Sequence, residues 1–145
     1  MIDRNKEKLF MQKTATFLMF VGDKAGKAEE AMGFYTSLFK DSGIKSITKY
    51  ESDEPGGKQG MVKYAVFTLQ GQEYMAMDST GPHAFTFTPS ISIFIRCEDE
   101  AEIDQLYKKL SEAGREQMPL NNYGFSRKFG WVSDRYGVSW QMNLQ

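Results

Sequence analysis

Two periods of apolar spacing run along this chain, and they predict its elements in order. Thr14 to Val21 is β-branched and aromatic and reads as a strand. Gly22-Asp23-Lys24-Ala25-Gly26 breaks it. From Lys27 to Lys40 the apolar residues Ala31, Phe34, Tyr35, Leu38 and Phe39 recur at three- and four-residue steps, the spacing of an amphipathic helix. Asp41-Ser42-Gly43 stops it, with Gly43 expected in the left-handed cap. Lys45 to Glu51, Met61 to Leu69 and Gln72 to Asp78 read as strands, the last two joined by Gln70-Gly71 into a hairpin. The order then recurs. Ser90 to Cys97 is a strand, and Asp99 to Ala113 is a helix with Ile103, Leu106, Tyr107 and Leu110 on one face, stopped by Gly114. Arg115 to Met118, Lys128 to Ser133 and Val138 to Leu144 are strands.

The pattern is therefore βαβββ followed by βαβββ, an α+β fold made of two units. Tyr35 and Tyr107 stand 72 residues apart, as do Leu38 and Leu110, while Phe20 and Phe94 stand 74 apart. A period near half the chain points to duplication of one supersecondary unit. Each unit alone has little core, so a shared one is expected. Residues 1–11 read as a charged arm, and 12–145 as one domain, with unit one at about 12–80 and unit two at about 88–145.

Composition narrows the function classes. The chain has 145 residues, 18 Lys and Arg against 19 Asp and Glu, and a net charge of −1. That balance argues against nucleic acid or an anionic membrane as partner. No apolar run spans a bilayer and the start does not read as a secretory signal, so a cytoplasmic location is expected. One cysteine, Cys97, and one histidine, His83, are too few for a zinc site of the usual kind. Any Ser-His or Cys-His catalytic pair must use His83.

Two stretches carry a family resemblance. One is Phe20-Val21-Gly22 with Ala28-Glu29-Glu30-Ala31-Met32-Gly33-Phe34-Tyr35 and Leu38-Phe39; the other runs from Gly130-Trp131-Val132-Ser133 through Asp134-Arg135-Tyr136-Gly137 to Val138-Ser139-Trp140-Gln141. Together they resemble the PhnB-like group of the glyoxalase/bleomycin-resistance (vicinal oxygen chelate) superfamily. The resemblance implies a glyoxalase-like domain with eight strands curled around a cleft, commonly in a homodimer. It also implies a divalent metal held by His or Glu, one from the first and one from the last strand of each unit. By strand register those positions fall at Thr16, Met75, Ser90 and Gln141. None is a His or Glu, and a shift of one residue supplies none, so neither metal nor cofactor is expected. Members of the group have carried a methyltransferase label, but no Gly-rich loop for a nucleotide-like cofactor is present here.

Side chains alternate across a strand, which sorts the faces. Ser139, Gln141 and Asn143 share one face of the last strand, and Ser90, Ser92, Phe94 and Arg96 share one face of the fifth. In the first strand Thr14, Thr16, Leu18 and Phe20 are expected toward the cleft and Phe17, Met19 and Val21 toward the helix. The expected ligand-binding set is Thr16, Met75, Ser90, Ser92, Arg96, Ser139 and Gln141. It would suit a small amphipathic molecule of unknown identity, held without metal. The alternative is a metal-dependent lyase, isomerase or dioxygenase with a divergent set drawn from Glu73, Asp78 and His83. Blander readings stand beside these. They are a merely solvated Ser/Thr face, an Arg96–Glu98 pair, a surface His83, an inert buried Cys97, and gap-filling Met75 and Met77, whereas the loop of Tyr123 and Phe125 is expected to cover the cleft.

Overall fold

The structure is a computed structural model that describes residues 12–145. The chain divides into two compact units, Met1–His83 and Ala84–Gln145. Unit one contains β1 (Thr16–Phe20), a 3₁₀ turn (Gly22–Lys24), α1 (Ala28–Ser37), β2 (Gly43–Lys49), β3 (Val62–Leu69) and β4 (Gln72–Asp78). Unit two contains β5 (Ile93–Cys97), α2 (Glu100–Ser111), β6 (Arg115–Asn121), β7 (Lys128–Ser133) and β8 (Ser139–Leu144). Each unit is one four-stranded sheet, ordered β1-β4-β3-β2 and β5-β8-β7-β6. In both, the first strand pairs parallel with the last and the remaining pairs are antiparallel. The duplicated α+β pattern is thus present.

One helix covers one face of each sheet. In α1 the buried residues Ala28, Ala31, Met32 and Tyr35 follow the three-and-four step and pack on β2, β3 and β4. Phe67 stacks on Tyr74 with ring centroids 5.4 Å apart beneath this helix face. In α2, Ile103, Leu106 and Leu110 are buried against the second sheet, over Trp140, Met142 and Leu144 of β8. Burial of each such side chain contributes about 1.5–3 kcal/mol.

The two helices begin differently. Asp99 caps α2 by accepting from Glu102 N at 2.8 Å, and Glu102 Oε1 returns the favour to Glu98 N at 2.8 Å. Lys27, at the same position of α1, makes no side-chain cap. A carboxylate from the sheet stands in: Asp78 Oδ1 accepts from Gly26 N at 2.8 Å and Ala28 N at 3.1 Å. Its Oδ2 accepts from Val62 N at 2.9 Å, tying α1, β3 and β4 together at one buried point.

Several boundaries differ from expectation for local reasons. α1 ends at Ser37 rather than Lys40, where the Thr36 and Ser37 hydroxyls donate back to the Met32 and Phe34 carbonyls. Asp41 takes the left-handed conformation expected of Gly43, which opens β2. Ala113 likewise takes positive φ at the end of α2. Gly114 is needed for space, because a Cβ there would run into the Ser133 carbonyl. β6 runs through Pro119, which an edge strand with irregular register tolerates. Before β1, the Gln12 side chain pairs like a strand residue: Nε2 donates to Glu73 O at 3.0 Å and Oε1 accepts from Glu73 N at 2.9 Å.

Candidate functional site

The face of each sheet turned away from its helix is where a ligand can be met. In unit two, strand register arranges that face in rows. The middle row is Phe94 of β5, Gln141 of β8 and Trp131 of β7. Next along the strands comes Arg96, Asn143 and Phe129. On the other side Ser139 pairs with Ser133, and Ser92 lies beside Ser139 just ahead of β5. Rows are about 6.8 Å apart and neighbouring strands about 4.8 Å.

The hydroxyls and amides of this face form one network. Ser92 Oγ and Ser139 Oγ share a hydrogen bond of 2.6 Å. Trp131 Nε1 donates to Ser139 Oγ at 2.8 Å, and Gln141 Nε2 donates to Ser92 Oγ at 3.3 Å. Two hydroxyls hold two hydrogens, and the shared bond uses one. The two external donors fill acceptor lone pairs and consume neither. One hydroxyl hydrogen therefore remains for an acceptor outside the network. Aromatic rings flank it: Trp131 and Phe94 within the row, and Tyr123, Phe125 and Phe129 as a cluster with centroids 5.2 to 6.3 Å apart. Phe125 is 57% exposed, so the cluster presents apolar surface.

The structure brings Ser92, Ser139 and Gln141 together and sets Arg96 on the same face. The remaining expected residues lie elsewhere. Ser90 precedes β5, is exposed, and hydrogen-bonds with Thr88. Met75 is on the open face of the unit-one sheet, in register with Phe17 and Val66. Thr16 is paired with Tyr74, on the opposite face, and lines a cavity of about 440 Å³ with Gln12, Thr14, Ala15 and Gln72. The face expected for β1 is thus reversed. Leu18 and Phe20 are buried under the helix, while Phe17 is 46% exposed on the open side. The equivalence of Phe20 with Phe94 fails with it. Phe20 is fully buried and pairs with Asp78, whereas Phe94 is exposed and pairs with Gln141. Pairing Met75 with Gln141 instead matches Phe17 with Phe94. That shift agrees with the connections, residues 21–27 before α1 but only 98–99 before α2.

Trp131 and Asn143 complete the site and were absent from the expected set. The signal for Trp131 was its alternation with Val132, a core residue at 0% exposure. Cys97 lies on the helix face, and burial first, then Glu102, pushes its thiol up to about 12. The second buried aspartate is structural: Asp134 Oδ1 accepts from Tyr136 N and Val138 N at 2.8 and 3.1 Å, and Oδ2 from Trp140 Nε1 at 2.8 Å.

A helix-covered four-stranded sheet with a parallel first-to-last pair, present twice, is the glyoxalase/bleomycin-resistance fold. A glyoxylase/bleomycin resistance protein/dioxygenase domain from Frankia shares it at TM-score 0.59 and 13% identity, over 93% of this chain and 98% of that one. A Pseudomonas aeruginosa protein shares it at TM-score 0.77 and 24% identity, over 93% and 98%. The chain belongs to the PhnB-like family described as 3-demethylubiquinone-9 3-methyltransferase, whose profile matches residues 12–143. A PhnB protein from Bacillus cereus is 55% identical, with TM-score 0.86 over 92% of this chain and 100% of that one. No curated protein matches the chain.

The metal that the superfamily implies does not fit the residues present. The open-face positions of the first and last strands carry Phe17, Met75, Phe94 and Gln141. These offer no carboxylate, imidazole or thiolate. The divergent set is not assembled either. Both Asp78 oxygens accept backbone N–H groups, His83 Nε2 is 2.7 Å from Ser79 Oγ, and Glu73 points to the other face from Asp78. Among the described residues no three His, Cys, Asp or Glu side chains are grouped so as to hold a metal ion. Among them, too, no helix is long and apolar enough to cross a membrane.

Proposed function

We propose that this chain binds a small amphipathic organic molecule on the open face of the unit-two sheet, without a metal as the recognising group. The observation that carries the reading is the Ser92–Ser139–Trp131–Gln141 network. Ser92, Trp131 and Gln141 are half-buried and Ser139 is buried; the network is flanked by Phe94 and has one hydroxyl hydrogen to give. Apolar walls with a few convergent polar groups are the usual make-up of a small-molecule site. A donor hydroxyl meets a ligand carbonyl or similar acceptor, and the rings take up the apolar part.

The test is a thermal-shift screen of an organic-molecule panel, repeated with Ser139→Ala and Gln141→Ala. Stabilisation by a subset of molecules that both variants lose is the expected result. Stabilisation by manganese, nickel, zinc or iron at about one ion per chain, with none by organic molecules, overturns the proposal. The homodimer expected from the resemblance belongs to the same reading. Phe17 and Tyr64, each 46% exposed on the open face of the unit-one sheet, support it. Sedimentation velocity showing only a 16.6 kDa species removes that part.

A further inference from the structure

Arg96 stands on the open face of unit two and, among the described residues, forms no ion pair. Its guanidinium lies 5.8 Å from the Phe94 ring centroid, so the side chain folds over the middle row. Among the described residues it has no carboxylate within salt-bridge distance. The Arg96–Glu98 pair that the sequence allows is not formed; Glu98 instead gives its backbone N–H to Glu102. Beside Arg96 in the same row, Asn143 Oδ1 is buried with no hydrogen-bond partner. A buried acceptor without a donor is rare and costs stability, so it marks a place where a donor is missing.

We infer that the molecule bound on this face is a flat aromatic carboxylate that carries a hydrogen-bond acceptor on the ring edge opposite its carboxylate. The proposal rests on the small-molecule reading above and adds the ligand's class. The planar guanidinium of Arg96 matches a carboxylate's two oxygens. The ring lies across Gln141, between Phe94 and Trp131. The far-edge acceptor takes the remaining hydroxyl hydrogen of the Ser92–Ser139 pair. Arg96 and the Ser92–Ser139 pair stand two rows apart, about 13–14 Å along the strands, and the fold of the guanidinium over the middle row takes up about half of that, leaving about 6–7 Å between carboxylate end and hydroxyl end. A substituted benzoate fits that length.

Three matched probes test the class by isothermal titration of the purified chain: 4-acetylbenzoate, its neutral analogue 4-acetylbenzamide, and 4-ethylbenzoate, which lacks the acceptor. Binding is expected strongest for 4-acetylbenzoate, about tenfold or more over either analogue. Arg96→Gln should erase the preference for acid over amide while leaving the preference for acetyl over ethyl. Ser92→Ala with Ser139→Ala should do the reverse. Arg96 is exposed, so its variant folds, and an unchanged acid-over-amide ratio in that variant overturns the assignment. Equal binding of acid and amide by the parent chain overturns it too, as does binding of none of the three at millimolar concentration. In that last case an organic hit lost in Gln141→Ala leaves the small-molecule reading standing and removes only this ligand class.

Discussion

Asp78→Asn is the perturbation that best separates a structural carboxylate from a catalytic one. In the parent, Oδ1 holds Gly26 N and Ala28 N, and Oδ2 holds Val62 N at 2.9 Å, all at a residue only 1% exposed. Asparagine has one acceptor oxygen and one amide nitrogen with two hydrogens. If the oxygen keeps the two α1 partners, the nitrogen faces the Val62 N–H, donor against donor. The loss is one hydrogen bond to a charged acceptor, about 1.5–3 kcal/mol, with an orphaned buried donor as well. Together the cost is about 2–4 kcal/mol, a large share of a typical 5–15 kcal/mol stability. At a urea slope near 2 kcal/mol per molar, the unfolding midpoint should fall by about 1–2 M. Asp104→Asn is the control. It breaks an exposed pair with Lys128 at 2.8 Å, which solvent screens, and should leave the unfolding midpoint close to the parent's. Equal midpoints for Asp78→Asn and the parent refute the argument that Asp78 fastens α1 to β3.

Two glycines and the cysteine give further tests. Gly130→Ala places a Cβ 2.8 Å from the Tyr107 ring, which can tilt, so a loss of about 1–3 kcal/mol is expected by urea titration. Gly114→Ala meets the Ser133 backbone carbonyl, which cannot swing aside, and should cost more than Gly130→Ala. Cys97, buried and with its thiol held near 12, should react with an aromatic disulfide reagent at pH 8 only after denaturation. Its raised value also has a sign. Between about pH 9 and 12 the unfolded chain releases this proton while the folded chain keeps it, so stability falls as pH rises through that window. Cys97→Ala should flatten the decline in thermal melts between pH 8 and 11.

What the sequence shows of this fold depends on contrast between faces. β8 was readable because Ser139, Gln141 and Asn143 alternate with Trp140, Met142 and Leu144, and the buried set is as expected. β1 was not. Phe17 and Met19 on one face and Leu18 and Phe20 on the other are equally apolar, so alternation alone has no side to prefer. A slip of one residue turns the whole strand over, and that is what misplaced Thr16. Pro119 reads as a break, and only the edge position of β6 lets a strand continue through it. Alternation with Val132 gives Trp131 its face, while its place beside Gln141 follows from strand register.

The Gln12 amide extends the edge of β4 by one side-chain pairing. A primary amide can set one of its two N–H donors beside its oxygen with the spacing of a peptide group, and here it pairs in that way with both backbone groups of Glu73. Among the described residues, the Gln12 side chain meets β4 ahead of the first backbone pairing, that of Thr16 with Tyr74. A shortened chain beginning at Gln12 keeps that side-chain pairing, whereas one beginning two residues later leaves both Glu73 backbone groups to solvent. Gln12→Ala should therefore loosen the mouth of β4 to hydrogen exchange while leaving the hairpin turn at Gly71 as protected as before.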